Sequence, residues 1–278
     1  MTRSRLTILG SGTSAGVPVI GCDCRVCRSD DPRDRRLRTS AMVEFFDPRG
    51  EHRVILLDTA PDLRQQALHY DIRRCDAILF THHHVDHIFG LDEVRRFNAV
   101  MEAPINIYAE PRTMENIRRV YRHIFDAVNN VNPSFVATLI PNALEPDRPI
   151  DLFGMRVTPL RVMHGRLPIL GFRFDAVAPD DDDPLLPLAY CTDVSAIPPE
   201  TWPRLTGLKT LILDALRYRH HPTHFTVDQA IDAATRIGAV QTRLIHITHD
   251  IEHADLEARL PDDIRLSYDG MTIGTLDE

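Results

Sequence analysis

The 278-residue sequence has no apolar run approaching the ~20 residues of a membrane-spanning helix. Its first apolar stretch, LTIL, is too short for the core of a signal peptide and predicts a β-strand. Disulfides are also not indicated, because the five cysteines are an odd number and three of them crowd into one short stretch. These absences favour the cytoplasm, where disulfides are rare.

The sequence also lacks an excess of basic residues. Lysine and arginine number 32 against 40 aspartates and glutamates, a net charge of −8. A partner bound through its phosphate backbone is therefore not indicated, and we expect no nucleic acid. One local exception is DPRDRRLR at 31–38, which is either a solvated loop or an arginine rim that attracts an anionic substrate.

The apolar fraction of 43% predicts a globular protein, and short apolar strands mixed with helices predict a layered α/β fold. No internal repeat is present. The predicted strands are LTILG, AMVEFF, RVILLD, DAILFT, PINIYA, MRVTPLRVMH, LGFRFDAV, LAYCTD, TLILDAL, RLIHITH, IRLSYDG and MTIGTL. The predicted helices are PDLRQQALHY, FGLDEVRRFNAV, PRTMENIRRVYRHIF and TVDQAIDAATRIG. The helical segment 95–135 could form a lid or a dimer surface.

The strongest chemical signal is THHHVDHIFG, which follows a predicted buried strand and precedes a predicted helix. It contains the pattern H-x-H-x-D-H, formed by His82, His84, Asp86 and His87. Imidazole and carboxylate ligands suit zinc, manganese or iron(II), and the carboxyl ends of strands are where α/β enzymes build sites. His83 occupies a variable position of the pattern and is interpreted as a bystander.

The stretch GCDCRVC raises a separate question, because Cys22, Cys24 and Cys27 lie within six residues. A metal site, a reactive thiol pair and an adventitious cluster all remain open from these residues alone. A closed metal site needs a fourth ligand from elsewhere in the chain. Cys75 and Cys191 lie in strand-like stretches and are expected to be buried and inert.

The motifs together resemble one branch of the metallo-β-lactamase superfamily, that of phosphoribosyl 1,2-cyclic phosphate phosphodiesterases in carbon–phosphorus lyase pathways. The segments that carry the resemblance occur in the same order as in that branch: GSGTSAGVPVIGCDCRVC, THHHVDHIFG, HGRL, CTD, PTHFTVDQA, LIHITH and YDGMTIG. The resemblance implies a four-layer αββα sandwich. It also implies a single hydrolase domain over 1–278, with a zinc-binding loop at about 21–28.

The resemblance also implies two divalent active-site metals, zinc or manganese, and one structural zinc ion. The implied ligands are His82, His84 and His164 for the first metal, Asp86, His87 and His246 for the second, with Asp193 bridging the two. Cys22, Cys24, Cys27 and His249 would hold the structural zinc. The fourth ligand of the cysteine site would therefore be His249, which lies three residues beyond His246, the last active-site ligand in the sequence.

Two residues are implied to be catalytic, His224 and the ligand Asp86. His224 would supply a proton to the leaving group, although His220 and His221 in the same segment leave the bare sequence ambiguous. Asp58 ends an early strand and is either an orienting partner of a metal ligand or a simple loop cap.

The implied activity is a metal-dependent phosphodiesterase that uses a hydroxide held between the metals. Its substrate would be a small cyclic phosphate or a dialkyl or nucleotide phosphodiester. A tRNA-processing-type endonuclease is an alternative, but such enzymes carry a basic arm. A lactonase or thioesterase is open because the same hydroxide attacks acyl carbon. A relative acting in pyrroloquinoline quinone biosynthesis and a non-catalytic binding module are also considered, but the complete ligand motif favours hydrolysis over both. A homodimer is considered as the oligomeric state.

Overall fold

Two seven-stranded β-sheets form the centre of the protein in a computed structural model that describes residues 4–126, 135–176 and 183–276. Part of the predicted segment 95–135 therefore lies outside the described residues. The strands are β1 (Ser4–Gly10), β2 (Ser40–Phe46), β3 (His52–Leu57), β4 (Ala77–Leu79), β5 (Ile105–Ala109), β6 (Leu139–Ala143), β7 (Ile150–Leu152), β8 (Met155–His164), β9 (Leu167–Ala176), β10 (Leu188–Cys191), β11 (Thr210–Asp214), β12 (Gln241–Ile245), β13 (Ile264–Leu266) and β14 (Thr272–Gly274).

The two sheets have matching topologies. The first has the order β14-β1-β2-β3-β4-β5-β6 and the second β13-β12-β11-β10-β9-β8-β7. Neighbours are parallel from β3 to β6 and from β10 to β13, and antiparallel elsewhere. The carboxyl ends of the parallel strands in each sheet therefore meet at one edge, where loops can bring side chains together.

Helices cover the outer face of each sheet. They are α1 (Leu63–His69), α2 (Val85–Ile88), α3 (Arg95–Met101), α4 (Pro111–Val120), α5 (Arg122–Phe125), α6 (Val227–Ile237) and α7 (His253–Glu257). The helix predicted over 111–125 is divided at Tyr121, whose hydroxyl donates to the Ile88 carbonyl oxygen at 2.9 Å. None of the described helices combines the length and apolar character required to span a bilayer.

Three apolar layers hold the sheets and helices together. Leu6, Phe45 and Phe172 belong to the layer between the two sheets. A second layer packs α1 to α5 against the first sheet, and a third packs α6 and α7 against the second sheet. This arrangement is the four-layer αββα sandwich, and the predicted fold class is confirmed.

Within the segment 31–38, Arg36 fits neither interpretation of the arginines, whereas Arg35 is exposed and Arg33 and Arg38 are partly buried. Arg36 and Asp34 have fully buried side chains and form an ion pair at 2.8 Å. The Arg36 guanidinium also donates to the carbonyl oxygens of Thr248 and Ile251, both at 2.9 Å. Arg36 therefore ties this segment to the loop after β12, instead of extending into solvent or toward a substrate.

Replacing Arg36 with methionine should lower the free energy of unfolding by about 3–5 kcal/mol, because Asp34 would keep a buried charge without its partner. Arg33→Met is the matched control, since the Arg33–Asp31 pair is partly exposed and should contribute under about 1 kcal/mol. Urea denaturation of both variants provides the comparison. Equal stability of the two variants would contradict the role given to Arg36.

Candidate metal centre

The predicted active-site ligands lie at the shared edge of the two sheets. His82 and His84 lie between β4 and α2, and Asp86 and His87 lie on α2. The other three are His164, the last residue of β8, Asp193 just after β10, and His246 directly after β12. Both sheets therefore contribute donors, and a metal bound here would connect them.

Each of three predicted histidine ligands has a polar partner at Nδ1. His82 Nδ1 lies 3.0 Å from Thr81 Oγ1 and His87 Nδ1 lies 2.7 Å from Asp58 Oδ2. His164 Nδ1 lies 2.8 Å from the Thr223 carbonyl oxygen. These contacts fix the rings and leave Nε2 free for another ligand.

Asp193 lies among the imidazoles. Its Oδ1 is 3.3 Å from His87 Nε2 and 3.3 Å from His246 Nδ1, while its Oδ2 is 3.9 Å from His82 Nε2. Asp86 Oδ2 is 3.4 Å from the same His87 nitrogen. Asp193 is therefore placed to contact groups predicted for both metals.

His84 and His164 complete the histidine cluster. The His84 ring centroid is 4.5 Å from that of His82 and 5.1 Å from that of His164. His84 is exposed whereas His82 and His164 are buried, so His84 lies at the mouth of the site. His83 is half-buried, with its ring 5.7 Å from that of His84.

Asp58 orients a predicted ligand. Besides its contact with His87, it accepts hydrogen bonds from the backbone N–H and the hydroxyl of Thr81, at 2.8 and 2.7 Å. Asp58, Asp193 and His246 all adopt positive φ angles, of 61°, 60° and 67°. Such conformations are uncommon for residues other than glycine and concentrate at functional sites.

Burial sets the protonation of most of these imidazoles. It lowers the pKa values of His82, His84 and His164 and lowers that of His246 to about 4. At His87 burial also opposes protonation, but the nearby carboxylates, Asp193 first, raise its pKa overall. Neutral imidazoles beside carboxylates form a donor set suited to divalent metals.

Two buried atoms give a direct test of whether this donor set fits a metal. The Nε2 atoms of His82 and His87 are buried and form no hydrogen bond among the described residues, although carboxylate oxygens of Asp193 and Asp86 lie 3.3 and 3.4 Å from that of His87. An unpartnered buried polar atom is costly and normally signals a missing ligand. The donor atoms of His82, His87 and Asp193 lie within 4.8 Å of one another. The residues therefore fit divalent metal ions.

His224 lies beside this cluster and is held by a buried carboxylate. Its Nδ1 is 3.2 Å from Oδ1 of Asp214, the last residue of β11, and Asp214 Oδ2 accepts from the Phe225 backbone N–H at 3.1 Å. The His224 ring centroid is 4.6 Å from that of His164 and 4.9 Å from that of His246. Burial raises the pKa of Asp214 to about 6. Burial opposes protonation of His224, but Asp214 outweighs it and raises the pKa of His224.

The cysteine stretch forms a second cluster. The Sγ atoms of Cys22, Cys24 and Cys27 lie 3.3, 3.5 and 3.5 Å from His249 Nδ1. Backbone N–H groups of Val19 and Cys27 donate to Cys27 Sγ and Cys24 Sγ, at 3.3 and 3.4 Å. Three sulfurs around one imidazole nitrogen, with amide groups donating to two of the sulfurs, fit a closed tetrahedral zinc site.

A sequence model described as "Beta-lactamase superfamily domain" matches residues 53–247, more than two thirds of the chain. The chain belongs to this superfamily. A solved relative shares the fold, and the strand ends described above carry the candidate metal ligands of this chain.

Individual relatives refine this placement. A crystal structure titled "a New Diphosphatase from the PhnP Family" is 40% identical, with a TM-score of 0.86 over 99% of this chain and 98% of that one. An "Octanoyltransferase" of Porphyromonas gingivalis is 39% identical over 96% of this chain and 51% of its own length. Zn²⁺-bound PqqB from Methylobacterium extorquens, at 22% identity and a TM-score of 0.71 over 99% of this chain and 100% of that one, shares the fold. The chain spans about half the length of the curated relatives that it matches.

The sequence alone does not predict the residues that orient the ligands of the predicted site. Residue patterns do not indicate a role for Asp214, Thr39 or Thr223, although Thr39 Oγ1 lies 3.0 Å from His246 Nδ1. The one available signal was the position of Asp214 at the end of the buried run TLILD, where a carboxylate needs a partner. Thr223 acts through its backbone carbonyl oxygen, which no side-chain pattern reveals.

Cys24→Ser should lower the thermal stability and the zinc content of the protein, because bound structural zinc contributes folding free energy. Turnover per folded molecule should fall less than either of these two values. Calorimetry, metal analysis and activity per folded molecule give the three values. Cys75→Ser is the control, since Cys75 is buried outside the cluster. A Cys24→Ser protein with unchanged stability and zinc but no turnover would make the cluster catalytic.

Proposed function

We propose that the protein hydrolyses a small phosphodiester or phosphoanhydride, such as a cyclic phosphate or a nucleotide ester. The observation that carries the proposal is the position of Asp193 among donors for two metals, with His224 beside the set and held by Asp214. A paired metal site with a separate proton donor suits displacement at phosphorus better than binding alone.

The ligand sets remain those implied by the resemblance. His82, His84 and His164 would hold one divalent ion and Asp86, His87 and His246 the other, with Asp193 shared. When bound, zinc or manganese would activate water near neutral pH and neutralise charge on phosphoryl oxygens. Asp58 keeps the His87 ring in place through its 2.7 Å contact.

His224 would supply the proton that the reaction needs. Water adds an oxygen to phosphorus, the bond from phosphorus to the leaving oxygen breaks, and that oxygen takes a proton from His224 Nε2. Asp214 holds Nδ1 and so keeps Nε2 available for this transfer. Solvent then returns a proton to the imidazole. Asp86 is proposed to be both a metal ligand and a catalytic residue, and it would act through its contact with His87.

The full-length likeness to a PhnP-family diphosphatase supports a phosphorus substrate. An acyl hydrolase is the second candidate, because the P. gingivalis octanoyltransferase matches along 96% of this chain. That match covers 51% of the relative, so the relative's name describes a protein about half of which lies outside the match. We therefore favour phosphodiester cleavage.

A substrate panel on metal-reconstituted protein tests the proposal. It contains bis(p-nitrophenyl) phosphate, 2′,3′-cyclic nucleotides, a ribosyl cyclic phosphate, a dinucleoside diphosphate and an octanoyl thioester. We expect turnover of one or more of the phosphates and none of the thioester. Turnover of the thioester alone would replace the proposal with acyl hydrolysis.

We further propose that residues 1–278 act as one catalytic domain, which is supported by the ligands that both sheets contribute. The structural zinc loop at about 21–28 belongs to this domain, since Cys22, Cys24 and Cys27 surround His249 three residues beyond His246. A homodimer and a cytoplasmic location stay predictions.

A further inference from the structure

An open crevice runs beside the cysteine cluster and is lined by Cys24. The crevice has a volume of about 300 Å³, and His249, Tyr218 and Arg259 also lie in its wall. Of the described cysteines, Cys24 is the one that belongs to this wall. Cys24 is half-buried, whereas Cys27 is only 7% exposed. A small oxidant in solvent therefore meets Cys24 before it meets Cys27.

The backbone brings Cys24 and Cys27 together as a pair. The Arg28 backbone N–H donates to the Cys24 carbonyl oxygen at 3.1 Å, so residues 24–28 form one helical turn. Residues three apart on such a turn are neighbours, and the Cys27 N–H donates to Cys24 Sγ at 3.4 Å. Cys22 is also half-buried, but residues only two apart do not face each other on a helical turn. A disulfide between Cys24 and Cys27 therefore requires the least rearrangement.

The two sulfurs of this pair have different surroundings. Cys27 packs with Val17 and Val26, and its Sγ accepts from the Val19 backbone N–H at 3.3 Å. Cysteines that hold zinc are thiolates, and the thiolate is the form that reacts with oxidants. An accessible thiolate beside a shielded second one is the arrangement found in redox-sensing cysteine pairs.

We propose that Cys24 and Cys27 form a reversible redox pair, which a hydroperoxide closes into a disulfide with loss of the structural zinc. This inference goes beyond the proposed hydrolysis and depends on the cysteine cluster alone. It gives the cluster a second role, because the same sulfurs that stabilise the fold when reduced would report oxidation of the surroundings.

The reaction uses hydrogen peroxide or an organic hydroperoxide as the oxidant. Cys24 sulfur attacks the terminal peroxide oxygen, the O–O bond breaks, and hydroxide or alkoxide leaves and takes a proton from solvent. The resulting sulfenic acid is attacked by the Cys27 thiolate; the S–S bond forms, the S–O bond breaks, and the second hydroxide also becomes water. Two electrons pass from the two sulfurs to the peroxide.

Closure of the pair should weaken the fold without unfolding it. Two of the four proposed zinc ligands are lost, and Cys22 and His249 alone do not make a closed zinc site. The loop after β12 keeps its 2.9 Å hydrogen bonds from Arg36 to the carbonyl oxygens of Thr248 and Ile251. The oxidised protein should therefore melt at the lower temperature expected of Cys24→Ser.

Hydrogen peroxide added to reduced, zinc-loaded wild-type protein tests the inference. Elemental analysis after desalting should show loss of the structural zinc, with Cys24→Ser as the blank that gives the zinc of the active site. Tandem mass spectrometry after alkylation of free thiols should locate a disulfide between Cys24 and Cys27. Dithiothreitol with added zinc should restore the zinc content and the melting temperature. The fully buried Cys75 and Cys191 should stay reduced and serve as internal controls.

Three results of this experiment would overturn the inference. The first is an unmodified Cys24 that keeps its zinc under peroxide. The second is a disulfide that joins any other two cysteines. The third is loss of zinc that dithiothreitol and added zinc do not reverse, because the pair would then be a site of damage.

Two matched variants assign the partner of Cys24. A carboxylate is an accepted zinc ligand, so Cys22→Asp and Cys27→Asp each keep four donors. Cys22→Asp retains the proposed pair and should still release and recover zinc. Cys27→Asp lacks the second thiol, so Cys24 should oxidise further to the sulfinic acid and the zinc should not return. Equal recovery of zinc in the two variants would overturn the role of Cys27. If either variant fails to fold, the disulfide map of the wild-type protein decides.

The same measurements separate this inference from the other proposals. If reduced wild-type protein holds no more zinc than Cys24→Ser, the structural zinc site fails, and the disulfide map alone decides the redox pair. A Cys24–Cys27 disulfide would then support the pair and its absence would overturn it. If the zinc is present and no phosphate of the substrate panel is hydrolysed, the proposed hydrolysis fails and the redox pair stands.

Discussion

Asp193→Ala should lose both active-site metals and lower phosphodiester turnover by ~10³-fold or more, because water would no longer be activated near neutral pH. The carboxylate lies 3.3 Å from a nitrogen of His87 and 3.3 Å from one of His246, and 3.9 Å from His82 Nε2. Its removal takes a charged donor from both proposed metals at once. It also leaves several imidazoles facing one another without an intervening anion.

Elemental analysis of Asp193→Ala by mass spectrometry, alongside kinetics, decides this prediction. Asp175→Ala is the control, since Asp175 is a half-buried carboxylate of the same sheet that binds Arg173. The structural zinc at the cysteine cluster should remain in both variants. An Asp193→Ala protein that keeps both active-site metals and full activity would show that the bridge is assigned to the wrong residue.

His224→Ala should reduce turnover of an alkyl-type phosphodiester by about 10²–10⁴-fold, the usual effect of a positioned proton donor. The loss on a p-nitrophenyl ester should be much smaller, because p-nitrophenolate departs without a proton. If His224 instead stabilised charge on phosphorus, both esters would lose rate alike. The ratio of the two losses is therefore the informative quantity.

Two neighbours of His224 serve as comparisons. His221→Ala removes a ring 5.2 Å from that of His224 that contacts Thr223, and it should have little effect on the ratio. Asp214→Asn keeps the shape but loses the charge that holds His224 Nδ1, and it should give part of the His224→Ala loss. Metal content should stay unchanged in His224→Ala; loss of an active-site metal would make His224 a ligand.

Much of the fold could be predicted because buried strands leave clear apolar runs. MRVTPLRVMH coincides with β8, and TVDQAIDAATRIG contains α6 with Thr226 and Gly238 as its caps. The strand β6 was missed because it contains Pro141 and has no fully buried residue at the sheet edge, where no apolar pattern is required. Tyr121 divides the predicted helix through a long-range contact with Ile88 that local sequence does not encode.

The candidate site was partly predictable for a related reason. His82, His84, Asp86 and His87 are close in sequence, and their spacing alone indicates a metal. His164, Asp193 and His246 come from three different strand ends, so residue spacing could not unite them and only the resemblance did. Asp214 needed the structure, because a carboxylate that ends a buried strand becomes informative only when its distance to His224 is known.

The pairing of the first and last strands places the two ends of the described chain side by side. Arg5 pairs with Gly274, and β1 then runs roughly 20 Å toward the edge of the sheet that carries the metal centre. Adjacent chain ends are the condition under which circular permutation and domain insertion are tolerated. A further domain joined beside the start of β1 would therefore lie at the opposite end of this strand from the metal centre. The P. gingivalis relative, about half of which matches this chain, has the length expected of such a two-part protein.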